Sequence, residues 1–187
     1  MLELMRVVRS QRGQSLVELT LSMPILLLLS LGAIEFSNII HSYLVLTHLT
    51  REGANLTSRS TDPIEALDAI ITAAGPTVRV NNSNQWRVIY SQIVPDPNNP
   101  LDVQKYKIKR NANWVRGNFS KPSEIGNDGA YAIAKIPSFT GIDPGRTLHV
   151  VEVFYDYGSG TITPLENFAP GVIPKTFYTR TIFMDVG

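Results

Sequence analysis

Between Leu19 and Ile34 the chain carries no charged side chain. This apolar run is headed by a single carboxylate, Glu18, and preceded by a short leader that contains Arg6, Arg9 and Arg12 and ends at Gly13. No other feature restricts the fold as strongly. As an α-helix, Leu16 to Ile34 spans roughly 28 Å, close to the ~30 Å hydrocarbon core of a bilayer. The arginines on the leading side predict a cytoplasmic N-terminus, with everything after Ser37 across the membrane. Glu18 is expensive to place in lipid unless something pairs with it. Its simplest reading is a carboxylate at the cytoplasmic end of a membrane helix, where negative charge suits the helix dipole. The whole segment has a rival reading as an ordinary secretory signal cut near Ser30-Leu31-Gly32, although such apolar regions are usually shorter.

Helical periodicity continues past the run. Phe36, Ile39, Ile40, Tyr43, Leu46, Leu49 and Leu56 fall on one side of a helical wheel, and Ser37, His41, His48, Arg51, Glu52, Asn55 and Arg59 on the other. One long helix from Gln14 to about Ser58 is therefore expected. Its first half is apolar all round, and its second half is amphipathic and able to lie on a folded domain. Ile40, Tyr43, Leu46 and Leu49 are the residues expected to bury against that domain. Gly53 in mid-helix costs up to ~1 kcal/mol relative to alanine, so a close approach of sheet or neighbouring helix is its expected reason. Pro24 removes one backbone hydrogen bond within the apolar half and predicts a kink or a flexible point there. Asp62-Pro63-Ile64-Glu65 reads as a helix start, with Gly75-Pro76 as its stop.

Beyond Pro76 the pattern changes to strands. Thr77–Asn81, Trp86–Val94, Val103–Arg110, Thr147–Tyr157 and Thr176–Val186 are rich in β-branched and aromatic residues, with a weaker candidate at Tyr131–Ile136. Asn-, Pro- and Gly-rich turns separate them, and Asn111–Gly129 reads as a long loop without periodicity. The expected class is α+β: a long N-terminal helix packed on a small antiparallel sheet, with one short extra helix.

Little points to catalysis. The chain has no cysteine, which excludes a disulfide framework, a thiolate metal site and a cysteine nucleophile. No serine, histidine and acid arrangement stands out, and no enzyme activity or cofactor is expected. His41 and His48 are too far apart along a helix to share a metal, and His149 lies on a strand. Lys105, Lys107 and Lys109 alternate onto one strand face, the pattern of a guarded edge, with an anionic glycan or DNA as the alternative. The turns at Asp96-Pro97-Asn98 and Asn127-Asp128-Gly129 lack the ligand count of a recognised calcium loop. The leader holds three of the 17 basic residues and one of the 16 acidic ones, so without it the formal charge moves from +1 to −1. No nucleic-acid partner is expected from such a balance.

The basic leader, Gly13, Glu18 and the apolar run together resemble the processing site of type IV pilin precursors. In that family a prepilin peptidase cuts after the glycine, and the glutamate at the fifth mature position contacts the new amino terminus of a neighbouring subunit. The resemblance implies a processing site at Gly13 and Gln14. It also implies a fresh α-amine at Gln14, cationic near neutral pH, which Glu18 of an adjacent subunit can neutralise in a low-dielectric bundle. Cyclisation of Gln14 to pyroglutamate would abolish that charge.

Common pilins begin the mature chain with phenylalanine, whereas here it would begin Gln14-Ser15-Leu16-Val17-Glu18. With Met23-Pro24, Gly32-Ala33-Ile34-Glu35-Phe36 and Arg51-Glu52-Gly53-Ala54 further on, the pattern looks like the TadE-like pseudopilins of tight-adherence pili. In these a Val-Glu, a Leu-Pro, a Gly-x-Ile-Asp/Glu-Phe and an Arg-Glu-Gly-Ala recur in that order. The likeness covers residues 12–59 and fits the strands around Val151–Tyr157 and Phe177–Met184 loosely.

It implies a leader over 1–13, a transmembrane and assembly helix over 14–35, and an amphipathic helix with a β domain over 36–187. It implies a minor pilin that starts as a single-pass protein of the bacterial inner membrane and passes into an extracellular filament. The expected partners are the prepilin peptidase, other pilin subunits and the assembly platform. Glu18, Pro24 and Glu35 are the candidate assembly residues. Glu35 reads first as a marker of the outer membrane face and alternatively as a helix-to-helix contact. A membrane-anchored or secreted β-rich binding module is the other function in view.

Overall fold

The computed structural model describes residues 2–59, 62–74, 81–102, 105–132, 144–158, 171 and 174–185, with side chains from residue 13 onward. Helix α1 covers Leu2–Ser58 and includes Pro24. Two compact units are distinguished: the first holds α1 as far as Ile40, and the second begins at His41 and contains the rest of α1 and every other named element.

In the first unit, α1 contains a segment long and apolar enough to cross a membrane. Its large apolar side chains, from Leu16 through Leu29 to Ile34, are exposed in the isolated chain. Such an all-round apolar surface needs lipid or other helices as its solvent. Thr20 and Ser30 donate their hydroxyls to the carbonyls of Leu16 and Leu26, one turn back, which satisfies them without a partner chain.

In the second unit, α1 packs on an antiparallel sheet of order β2-β1-β4-β5, with β3 also paired to β1. The strands are β1 Trp86–Val94, β2 Lys107–Lys109, β3 Val115–Arg116, β4 Leu148–Asp156 and β5 Thr176–Met184. Helix α2 covers Pro63–Ala73, and the Asp62 side chain caps it by accepting the Ile64 N–H at 2.9 Å. The expected strands over 86–94, 147–157 and 176–186 match β1, β4 and β5 to within a residue or two. Of the expected strand over 103–110, residues 103 and 104 lie outside the described residues, and the rest is strand only over Lys107–Lys109, with Lys105 in a 3-10 turn. Residues 77–80 and 133–136 of two further expected strands lie outside the described residues. Of the latter strand, Tyr131 forms a bridge with Lys107.

Strand β4 is buried along nearly its whole length, because both faces of the sheet are covered. On one face lie α1 and α2. Leu49 of α1, Ile70 and Ala74 at α2, and Trp86, Val88 and Val153 of the sheet line one apolar hollow. The buried residues of α1 from His41 onward are Ser42, Leu46, Leu49, Thr50, Gly53, Ala54, Thr57 and Ser58, a 3-4 spacing that keeps one stripe toward the sheet. The stripe is rich in small and hydroxyl-bearing side chains, and this corrects the wheel drawn from apolar residues. Leu46 and Leu49 are buried, but Ile40 and Tyr43 are 57% and 49% exposed. Tyr43 reaches only the edge of the Phe177 ring, at 6.3 Å between centroids. The physical reason is proximity. Small residues let the helix approach the strands, where Thr179 donates to the Leu46 carbonyl at 3.3 Å and Thr181 to Thr50 Oγ1 at 3.0 Å. Bulky apolar positions one side of that stripe are left outside.

The other face is covered by Tyr106, Ile108 and the stretch 123–132 of segment 106–132, whose turn at 112–114 instead packs Trp114 against Tyr90 on the helix-covered face. Tyr106, Ile108, Ile125 and Ala132 close over Ile93, Leu148 and Val150, with Ile182 and Met184 at the margin. The stretch read as an aperiodic loop is therefore a lid of the second core. It enters through a 3-10 turn at Ala112–Trp114, capped by Asn111. It turns at Gly117, whose φ of +80° and close approach to the Trp86 carbonyl admit only glycine.

Candidate functional site

The head of the apolar helix is laid out by simple helical spacing. Gly13, Gln14 and Glu18 all lie within α1 and are exposed. Gln14 and Glu18 are four residues apart and so share a face, and the Gln14 amide donates to Glu18 Oε1 at 3.2 Å. The Glu18 carboxylate therefore already has a local donor in the uncut chain. A Cβ added at Gly13 meets nothing within 4 Å, so the glycine is not required by packing in this chain. Pro24 sits in the exposed apolar stretch without ending the helix.

Glu35 differs from Glu18. It is 1% exposed, so in the isolated chain it is not available to a neighbouring helix, and a helix-to-helix role would require it to be uncovered first. At the far end of α1, Gly53 is packed tightly. An added Cβ would lie 2.9 Å from Ile70 Cδ1 and 3.5 Å from Val151 Cγ1. Both a neighbouring helix and the sheet thus approach this position. Arg51 and Glu52 are exposed.

The turns considered for cations are occupied by protein donors. Asp96 accepts the Asn98 N–H at 3.0 Å and lies 3.7 Å from Lys107 Nζ. Asp128 accepts the Arg110 N–H at 2.7 Å. Among the described residues no group of three or more His, Asp or Glu is placed to hold a metal ion. Lys109 is exposed at the β2 edge, while Lys107 is drawn over the Tyr131 ring.

A buried polar cluster was not foreseen. Glu152 of β4 is fully buried on the face covered by segment 106–132. It accepts from the Glu124 N–H at 2.9 Å, from the Tyr178 hydroxyl at 3.0 Å and from the Ser123 hydroxyl. Arg110 Nη2 stands 3.9 Å from its carboxylate. The rest of the guanidinium is held by Ser91, the Gly126 carbonyl and Ser123. Burial pulls the Arg110 pKa down while Glu152 and Asp128 counter it. Burial and the Glu152 charge push the Tyr178 hydroxyl pKa up. The donors and acceptors of the cluster satisfy one another, so its work is to pin the lid segment to the sheet. The sign of it in the sequence was Glu152 alone, a carboxylate in the apolar run Val150-Val151-Glu152-Val153-Phe154.

The described residues thus combine one helix long and apolar enough to cross a membrane, a carboxylate near its head, and a small α+β unit. The family model described as TadE-like protein matches residues 13–55, from the candidate cleavage glycine to just beyond Gly53. No curated protein and no solved structure matches the chain.

Proposed function

We propose that the protein is a minor pilin, or pseudopilin, of a tight-adherence pilus, cut after Gly13 by a prepilin peptidase and taking part in assembly or capping of the filament. The observation that carries this reading is the exposed apolar stretch headed by the exposed Glu18, in a segment matching the TadE-like family. Exposed apolar surface of this extent is stable only in lipid or among like helices, and an anchor and a subunit interface are the two uses a pilin makes of it. Before assembly the helix holds the protein in the inner membrane with its β domain outside. During assembly Glu18 pairs with the α-amine of a neighbour, which favours one axial register because any other leaves charges buried and unpaired. The partners are the peptidase, other pilins and the assembly platform.

The test is the mass of the N-terminal peptide of the protein recovered from cells that carry the pilus machinery. A start at Gln14 is expected. A start near Gly32 supports an ordinary secreted binding module instead, and an uncut chain supports a plain anchor.

A further inference from the structure

His149 sits on the helix-covered face of the sheet, 7% exposed, and is satisfied on one side only. Its Nδ1 lies 2.8 Å from the Tyr90 hydroxyl. Its Nε2 has no hydrogen-bond partner among the described residues. Tyr90 is fully buried, and the Trp114 ring meets it edge-on at 5.0 Å. His149, Tyr90 and Trp114 therefore form one corner where β4, β1 and the 3-10 turn of the lid segment meet.

The charged and titratable groups around this corner are few. From β1 come Tyr90 and, opposite His149 in register, the uncharged Gln92. Phe183 of β5 is opposite on the other side. Asp185 follows β5, with its N–H bonded to the Thr147 carbonyl at 3.0 Å. Alternation places it on the same face as His149, and its charge acts on both His149 and Tyr90. Helix α1 turns Gly53, Ala54 and Thr57 inward, none of them ionisable, and keeps Arg51, Glu52 and Arg59 exposed. The turn Ala112–Trp114 has no charged side chain of its own, but its Asn113 carbonyl accepts from Arg116, which pairs with Asp68 of α2 at 2.7 Å.

We propose that His149 is an acid-sensitive latch, whose protonation releases the Tyr90–Trp114 corner and loosens the grip of the sheet on its two covers. A neutral ring that carries its proton on Nε2 accepts the Tyr90 hydroxyl at Nδ1. A protonated ring makes both nitrogens donors. The Tyr90 hydroxyl must then reverse its role, and the ring's charge is buried with no acceptor for Nε2–H at hydrogen-bond distance among the described residues. Burial lowers the His149 pKa, and Asp185 offsets this only in part. The sign follows. The folded chain holds His149 neutral, whereas the unfolded chain takes up the proton near pH ~6.5. The latch contributes fully above that value, and its contribution is lost as pH falls from there through the lower folded value. The inference goes beyond the filament role: it makes the integrity of the external domain depend on the acidity of the medium.

The test uses the full chain in detergent micelles. The His41→Asn/His48→Asn double variant leaves His149 as the single imidazole of the three histidines, so its titration can be followed by NMR. A midpoint below the ordinary histidine range is expected, with a concurrent change in indole fluorescence. A midpoint at or above that range overturns the latch. Independently, the thermal midpoint of the parent should fall by about 3–8 °C between about pH 7.5 and about pH 5. In His149→Gln, which can accept from Tyr90 but cannot be protonated, most of that fall should vanish. An equal fall in the two proteins overturns the latch even if the titration is depressed. If His149→Gln does not fold, the titration of the double variant decides alone.

Discussion

Replacement of Glu152 should be among the most damaging single changes to the external domain, although no filament contact is involved. In Glu152→Ala the Glu124 N–H, the Tyr178 hydroxyl and the Ser123 hydroxyl lose their acceptor, and Arg110 loses its countercharge. At 3.9 Å and an effective dielectric of about 20, the gross attraction of the pair is about 4 kcal/mol. Much of it is offset by the cost of removing both charges from water, so the pair's net worth is small. Breaking it from one side is a different matter. The largely buried guanidinium keeps only the weaker influence of Asp128, and the expected loss is about 3–5 kcal/mol. Arg110→Met should cost less than the single carboxylate deletion predicts, because Arg110 is partly exposed and Glu152 keeps three other donors. The double variant Glu152→Ala/Arg110→Met should cost clearly less than the sum of the two singles, with a coupling of about 1 kcal/mol or more. The assay is urea unfolding of the full chain in detergent, followed by the fluorescence of Trp86 and Trp114. A loss under about 1 kcal/mol in Glu152→Ala, or strict additivity in the cycle, would refute the view that this carboxylate pins the lid segment to the sheet.

The remaining predictions concern α1. Leu46→Ala should cost about 2–5 kcal/mol because the side chain is fully buried, whereas Tyr43→Ala, half exposed, should cost about 1 kcal/mol or less; equal shifts of the unfolding midpoint would contradict the phase assigned to the helix. Gly53→Leu should destabilise the domain by about 1–3 kcal/mol, since even its Cβ meets Ile70 and Val151, and a thermal midpoint at or above the parent's would show that the close approach is not needed. Gly13→Leu meets no steric obstacle in the chain and should leave the domain's unfolding curve unchanged while blocking cleavage, so normal processing of this variant counts against the pilin reading. Glu18→Ala should be processed and inserted normally but fail to enter filaments, with Glu18→Gln milder because an amide still accepts a hydrogen bond. Mass spectrometry showing fully cyclised Gln14, together with normal incorporation of Glu18→Ala, would leave Glu18 as a helix-end carboxylate.

What could be read from the sequence was whatever depends on neighbours along the chain. The apolar run, the long helix, the Asp62 cap and strands β1, β4 and β5 are set by local composition and spacing, and the leader with Gly13 and Glu18 needs only adjacent residues to be seen. The phase of α1 against the sheet was misjudged at Ile40 and Tyr43. Hydrophobicity says which side chains prefer burial, whereas close packing selects the stripe where Gly53, Ala54 and the hydroxyl residues let two backbones approach. The roles of Glu152 and His149 are not legible along their strand. Their meaning came from partners far away in sequence, Arg110, Ser123 and Tyr178 for one and Tyr90 for the other, which only the folded arrangement brings within hydrogen-bond reach. The aperiodic stretch 111–129 became a lid for the same reason. A segment that closes a core by turns and single buried side chains such as Ile125 carries no repeat, and tertiary contact alone decides where it lies.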